Sequence, residues 1–83
     1  MNYNRLPEYI CHKHVRAAKI LQIKEEDGTY TLKLESAEVP KTQMEKDWIE
    51  RHNPEVGGYL VVYEEGYISF SPAEPFEKGY SRL

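Results

Sequence analysis

His14-Val15-Arg16-Ala17-Ala18-Lys19-Ile20-Leu21-Gln22-Ile23-Lys24-Glu25-Glu26-Asp27-Gly28-Thr29-Tyr30-Thr31-Leu32-Lys33-Leu34-Glu35 is the stretch on which the fold turns. Val15, Ala17, Leu21 and Ile23 alternate with Arg16, Gln22 and Lys24, the period of two expected of a half-buried strand. Ala18 and Ile20 break that parity. Two readings account for it: a bulge near Ala17 to Lys19, or a central strand covered in part on both faces. Asp27-Gly28 then supplies the positive-φ pair that a tight hairpin turn requires. Beyond it Tyr30, Leu32 and Leu34 share one face and Thr29, Thr31, Lys33 and Glu35 the other, so residues 14–35 read as a hairpin.

Downstream, Val39-Pro40 closes this unit. Thr42-Gln43-Met44-Glu45 has the S/T-x-x-E form of a capping box, which predicts that a helix starts there. Met44 and Trp48 fall four apart on one face with Ile49 beside them, and Asn53-Pro54 ends the helix. Gly57-Gly58 resets the chain for Tyr59-Leu60-Val61-Val62-Tyr63-Glu64, the strongest strand signal in the sequence. Glu65-Gly66 turns it back through Tyr67-Ile68-Ser69-Phe70 as a second hairpin. Ser71-Pro72-Ala73-Glu74 predicts one helical turn, cut short by Pro75, with Phe76 and Tyr80 as anchors for the tail. The order β-β-α-β-β predicts one α+β domain over residues 1–83: an antiparallel sheet of about four strands, curled toward a barrel or open, with one helix packed on it.

Composition narrows the function. The chain has 83 residues and a net charge of −3, enough for one thin core and too little for a deep catalytic cleft. No run approaches the ~18 apolar residues of a spanning helix, and Met1-Asn2-Tyr3-Asn4-Arg5 lacks the apolar run of a signal peptide, which places the chain in a cytosol. Cys11 is the one cysteine, so no internal disulfide forms, and it reads as an idle thiol rather than a nucleophile. Five basic residues against one acidic lie in residues 1–24, and six against thirteen in 25–83. That balance argues against nucleic acid as a partner.

His12 and His14 point to the same side of an extended segment, and His52 offers a third nitrogen, but a closed four-ligand zinc site cannot be completed from histidine and cysteine alone. No metal and no cofactor are expected. Glu25-Glu26 and Glu64-Glu65 sit in solvated turns where nothing drives their pKa values apart, so no catalytic residue is assigned and the chain is not read as an enzyme. Six of the ten aromatic residues fall between residues 59 and 80. Tyr59, Tyr63 and Tyr67, with Glu64 and Glu65, are the candidate protein-binding residues, because tyrosine joins apolar area to a polar tip. The alternative for the same rings is a cross-strand ladder serving the core.

Pro54-Glu55-Val56-Gly57-Gly58-Tyr59, Val61-Val62-Tyr63-Glu64-Glu65-Gly66-Tyr67, Ser71-Pro72-Ala73-Glu74 and Phe76-Glu77-Lys78-Gly79-Tyr80, with Lys13-His14-Val15-Arg16-Ala17-Ala18-Lys19-Ile20 near the start, resemble small proteins of tailed bacteriophages and prophages. The resemblance carries no catalytic or ligand-binding residues. It implies a setting: a phage-encoded protein in the bacterial host cytoplasm. Two functions follow as expectations. One is a non-enzymatic accessory protein that binds, and inhibits, a host or defence-system protein. The other is a structural or assembly protein, acting as a homodimer through its aromatic sheet face; membrane and nucleic acid are partners of neither.

Overall fold

Strand β2 (His14–Glu26) organises the molecule, and a change of partners along its length explains its broken parity. The computed structural model describes residues 3–10 and 14–82. In the first half of β2, Val15 to Lys19 pair antiparallel with β5 (Tyr59–Tyr63) on one edge. The other edge pairs with β1 (Glu8–Ile10), and the Ala17 amide reaches the Pro7 carbonyl at 3.0 Å. At Lys19 and Ile20 the partners change. Ile20 exchanges hydrogen bonds with Gly57 and Gly58 at 2.8 and 2.7 Å, while the Glu35 amide donates to the Lys19 carbonyl at 2.8 Å. From Ile20 onward β2 pairs with β3 (Thr29–Leu34), with a register shift between Ile20 and Gln22.

Both readings of the parity break therefore hold, with the bulge slightly later than the sequence suggested. Val15 and Ala17 are buried on one face and Ala18 and Ile20 on the other. The extra residue, Leu21, is exposed, and it resets the alternation so that Ile23 packs on the same cluster as Ile20. The hairpin turn is as expected: Asp27 and Gly28 take φ of 52° and 81°.

The sheet is larger than the expected four strands. Lys41–Met44 forms a strand, β4, against β3, rather than the start of a helix. Thr42, expected to cap a helix, is buried in β4 and its hydroxyl hydrogen-bonds the Tyr3 hydroxyl. Helix α1 runs Lys46–His52 with Glu45 at its N-cap and no side-chain cap bond. Asn53 closes it at φ 45°, the left-handed conformation that asparagine tolerates. Strand β6 (Ile68–Ser71) pairs with β5. Helix α2 spans Ala73–Gly79, two turns rather than one, because Pro75 sits in the first turn, where a missing N–H leaves no bond unmade. A two-residue strand, β7 (Ser81–Arg82), pairs with β1 and completes seven strands.

The five larger strands lie in the order β4-β3-β2-β5-β6, with α1 between the third and fourth of them in sequence. The sheet curls into a partly open barrel, because both edge strands, β4 through Met44 and β6 through Ile68 and Phe70, pack on the same buried cluster. No β4–β6 ladder closes it among the described residues. Leu6, Ala18, Ile20, Leu32, Leu34, Val39, Met44, Leu60 and Val62 fill the interior, with Trp48 and Ile49 of α1 packed against them. Trp48 Nε1 donates to the Ile68 carbonyl at 3.0 Å and so ties α1 to β6. A second cluster, Val15, Ala17, Tyr59, Val61 and Phe76, lies on the outer face of the β2–β5 pair beneath α2. The chain is thus an α+β protein in which each helix covers a different face.

Candidate functional site

Alternation along β5 sends Leu60 and Val62 into the barrel and Tyr59, Val61 and Tyr63 to the opposite face. That face is largely roofed by α2, which separates the candidate tyrosines. Tyr59 is 7% exposed, its ring stacked on Phe76 at 4.2 Å and its hydroxyl donating to Glu77 at 2.8 Å. Burial, then the hydrogen bond to Glu77 and that carboxylate's charge, with Tyr9 and Glu35 adding to them, raise its pKa well above the ordinary 10.0. Tyr9 meets Phe76 edge-on at 4.9 Å and Tyr80 stacks on it at 4.6 Å. Tyr59 is therefore a member of the second core, the alternative that the sequence left open for these rings.

The remaining candidates stand together at the β5–β6 tip. Glu64-Glu65-Gly66 forms a three-residue turn with Gly66 at φ 95°, closed by the Gly66 amide to the Tyr63 carbonyl and the Tyr63 amide to the Tyr67 carbonyl, both at 2.9 Å. Tyr63 and Tyr67 stack across the turn with centroids 6.0 Å apart. Tyr67 is 50% exposed. The aromatic surface continues onto α1: His52 lies 6.0 Å from Tyr67 and 4.7 Å from Trp48, ring to ring. Glu64 and Glu65 are exposed and make no ion pair among the described residues. The tip thus joins a strip of four rings to two exposed carboxylates.

His52, which the sequence offered only as a third nitrogen for a metal site that was not expected, belongs to this strip. Its Nε2 is buried with no hydrogen-bond partner among the described residues. Burial, and secondarily the Arg51 charge, hold its pKa below the ordinary 6.5. His14 has a different partner, Glu8, whose carboxylate lies 2.6 Å from His14 Nε2 and 3.6 Å from the Arg16 guanidinium. His12 and Cys11 lie outside the described residues. Among the described residues no three His, Cys, Asp or Glu side chains gather as a metal site.

The surface hollows are shallow in chemistry. Beside the tip, Asn4, His14, Arg16, Tyr63 and Glu64 line a notch of about 60 Å³, far below the ~300–1,000 Å³ of a small-molecule site. A hollow of about 480 Å³ along β4 is lined by Tyr3, Thr31, Lys41, Thr42 and Gln43. Another, of about 430 Å³, is lined by Gln22, Lys24, Thr31, Lys33, Pro40 and Lys41. Neither larger hollow presents a carboxylate or an imidazole. No helix is long and apolar enough to cross a membrane.

No protein-family model and no curated protein sequence matches this chain. Among solved structures, it is similar to the solution structure of the monomeric form of the phage L decoration protein, with a TM-score of 0.72 and 26% sequence identity. The match covers 92% of this chain and 58% of that one, so the chain spans little more than half the length of the decoration protein. The similarity agrees with the phage setting implied by the sequence pattern.

Proposed function

We propose that this chain is a phage-encoded structural protein that attaches to an assembled protein shell and acts by occupying a surface rather than by catalysis. The observation that carries this reading is the likeness to the phage L decoration protein across 92% of the chain. The tip residues Tyr63, Glu64, Glu65 and Tyr67 are the proposed contact. Stacked tyrosines on a short turn bury large area with little loss of side-chain freedom, and the flanking carboxylates orient the approach. The contacting unit is one copy of the chain or a homodimer, with a protein and neither nucleic acid nor membrane as its target.

The test is to express a tagged copy during growth of the phage that encodes it and to separate the lysate on a density gradient. The tagged chain is expected to band with assembled heads, and Tyr67→Ala is expected to release it while leaving its thermal unfolding unchanged. Banding with a soluble host protein and never with heads would overturn the structural reading and restore the inhibitor. A Tyr67→Ala protein that still bands with heads would move the contact away from the tip.

A further inference from the structure

The outer face of the barrel wall formed by β2, β3 and β4 is polar and unroofed. Strand register sets its residues on a grid of two rows. Gln22 stands opposite Lys33, and Lys33 opposite Lys41; Lys24 stands opposite Thr31, and Thr31 opposite Gln43. Lys33 and Lys41 are thus direct cross-strand neighbours of like charge, an arrangement that weakens a sheet. Neither makes an ion pair with any described residue. Lys24 has one carboxylate near it, Glu26 at 3.9 Å, with both side chains mostly exposed. Above the grid lies the hollow of about 430 Å³, walled by Pro40. In a chain of net charge −3, three lysines have been gathered on one wall at a cost to the fold.

We propose that this wall is a docking face for an acidic polypeptide segment, whose carboxylates sit between Lys33 and Lys41 and reach Lys24, with Gln22, Thr31 and Gln43 hydrogen-bonding its backbone. Charge complementarity selects an anionic occupant, and the composition of the face selects its class. Proteins that hold single-stranded nucleic acid stack bases on aromatic rings. This grid presents none; the Tyr3 ring lines the adjoining hollow and not the grid. Carboxylates need only ammonium, amide and hydroxyl donors, which is what the six grid residues offer. The face is built from residues other than those of the β5–β6 tip, and the inference does not rest on the shell-attachment reading.

The experiment is a titration of the ¹⁵N-labelled full chain with hexaglutamate, followed by amide chemical shifts at about 10 mM salt, where charge acts over about 30 Å. Shifts confined to residues 22–24, 31–33 and 41–43 are expected, with affinity falling at least about tenfold at 0.1 M salt, where charge acts over only about 10 Å. Lys33→Glu/Lys41→Glu is expected to abolish them while the rest of the spectrum stays in place. If that variant fails to fold, Lys33→Gln/Lys41→Gln serves the same purpose. Shifts scattered over the surface, shifts that survive in the variants, or no shifts would each overturn the proposal. Tighter binding of hexathymidylate than of hexaglutamate at the same residues would overturn it in favour of nucleic acid.

Discussion

The two halves of β2 face opposite demands. From Val15 to Lys19 the strand is covered twice, by the barrel interior on one side and by Phe76, Tyr59 and Tyr9 on the other. From Gln22 to Glu26 it is covered once, and its outer side chains are exposed. The first half carries small residues, Ala17 and Ala18, because both faces are close-packed. The second half carries Gln22, Lys24 and Glu26, because one face is free. A doubly covered strand has no surface left for recognition, whereas a singly covered one offers a whole wall.

The largest test of this contrast is Phe76→Ala. Phe76 is 1% exposed and holds α2 on the second core through Tyr59, Tyr9 and Tyr80. Its truncation is expected to cost about 3–5 kcal/mol in urea unfolding. Tyr67→Ala at the exposed tip is expected to stay within about 0.5 kcal/mol. Equal costs would mean that α2 is not a structural roof and that the double cover has no energetic content.

Gly58 tests the join between the halves. A Cβ there would lie 2.9 Å from the Ser71 carbonyl oxygen and would collide with the Phe70 ring of β6, at the residue whose own carbonyl accepts from the Ile20 amide. Gly58→Ala is expected to cost about 1–3 kcal/mol by overpacking, read as a lower urea midpoint with an unchanged slope. A neutral result would show that Phe70 swings away freely and that the barrel wall is soft at this point.

A smaller effect is expected from pH. His52 has a pKa below 6.5 in the folded protein, so the unfolded chain binds its proton more readily. The stability linked to it is complete above 6.5 and falls as pH drops below 6.5 toward the folded value. His52→Gln is expected to flatten the urea midpoint against pH through this window. A slope that persists in the variant would assign it to other groups.

The smallest change sharpens the contrast from the exposed side. Lys41→Glu replaces a like-charged cross-strand pair with an opposite-charged one and is expected to add about 0.2–1 kcal/mol while weakening any acidic ligand of the wall. A gain in stability joined to a loss of binding is the signature of a face kept for recognition rather than for folding.

The hairpins and the helix end were legible because each carries a local signal: Asp27-Gly28 with positive φ, the β-branched run at Tyr59–Tyr63, and Asn53-Pro54. Three strands were not. β1 and β7 are too short, at three and two residues, to show a period. In β4, Lys41-Thr42-Gln43-Met44 alternates exposed and buried, yet it also fits the capping pattern, and tertiary packing of Thr42 and Met44 decided between them. Of the candidate site, Glu64-Glu65 and the flanking Tyr63 and Tyr67 were placed by the turn. Which of the tyrosines goes to the core was left open by the sequence, because the burial of Tyr59 depends on Phe76, seventeen residues further along the chain, folding back on a helix longer than the single turn expected. The lysine wall escaped notice for a related reason: its three lysines come from three strands, and only their register makes them neighbours.

Trp48 stands where α1 spans the seam that β4 and β6 leave unladdered, with its indole N–H on Ile68 and the His52 ring against its face. The lone tryptophan is therefore an optical gauge of that seam. Parting α1 from β6 exposes the indole and shifts its emission to the red, whereas protonating His52 puts a quencher against it and dims the emission without moving it. One fluorophore thus separates a mechanical opening of the barrel from a titration beside it, with no label added to the chain.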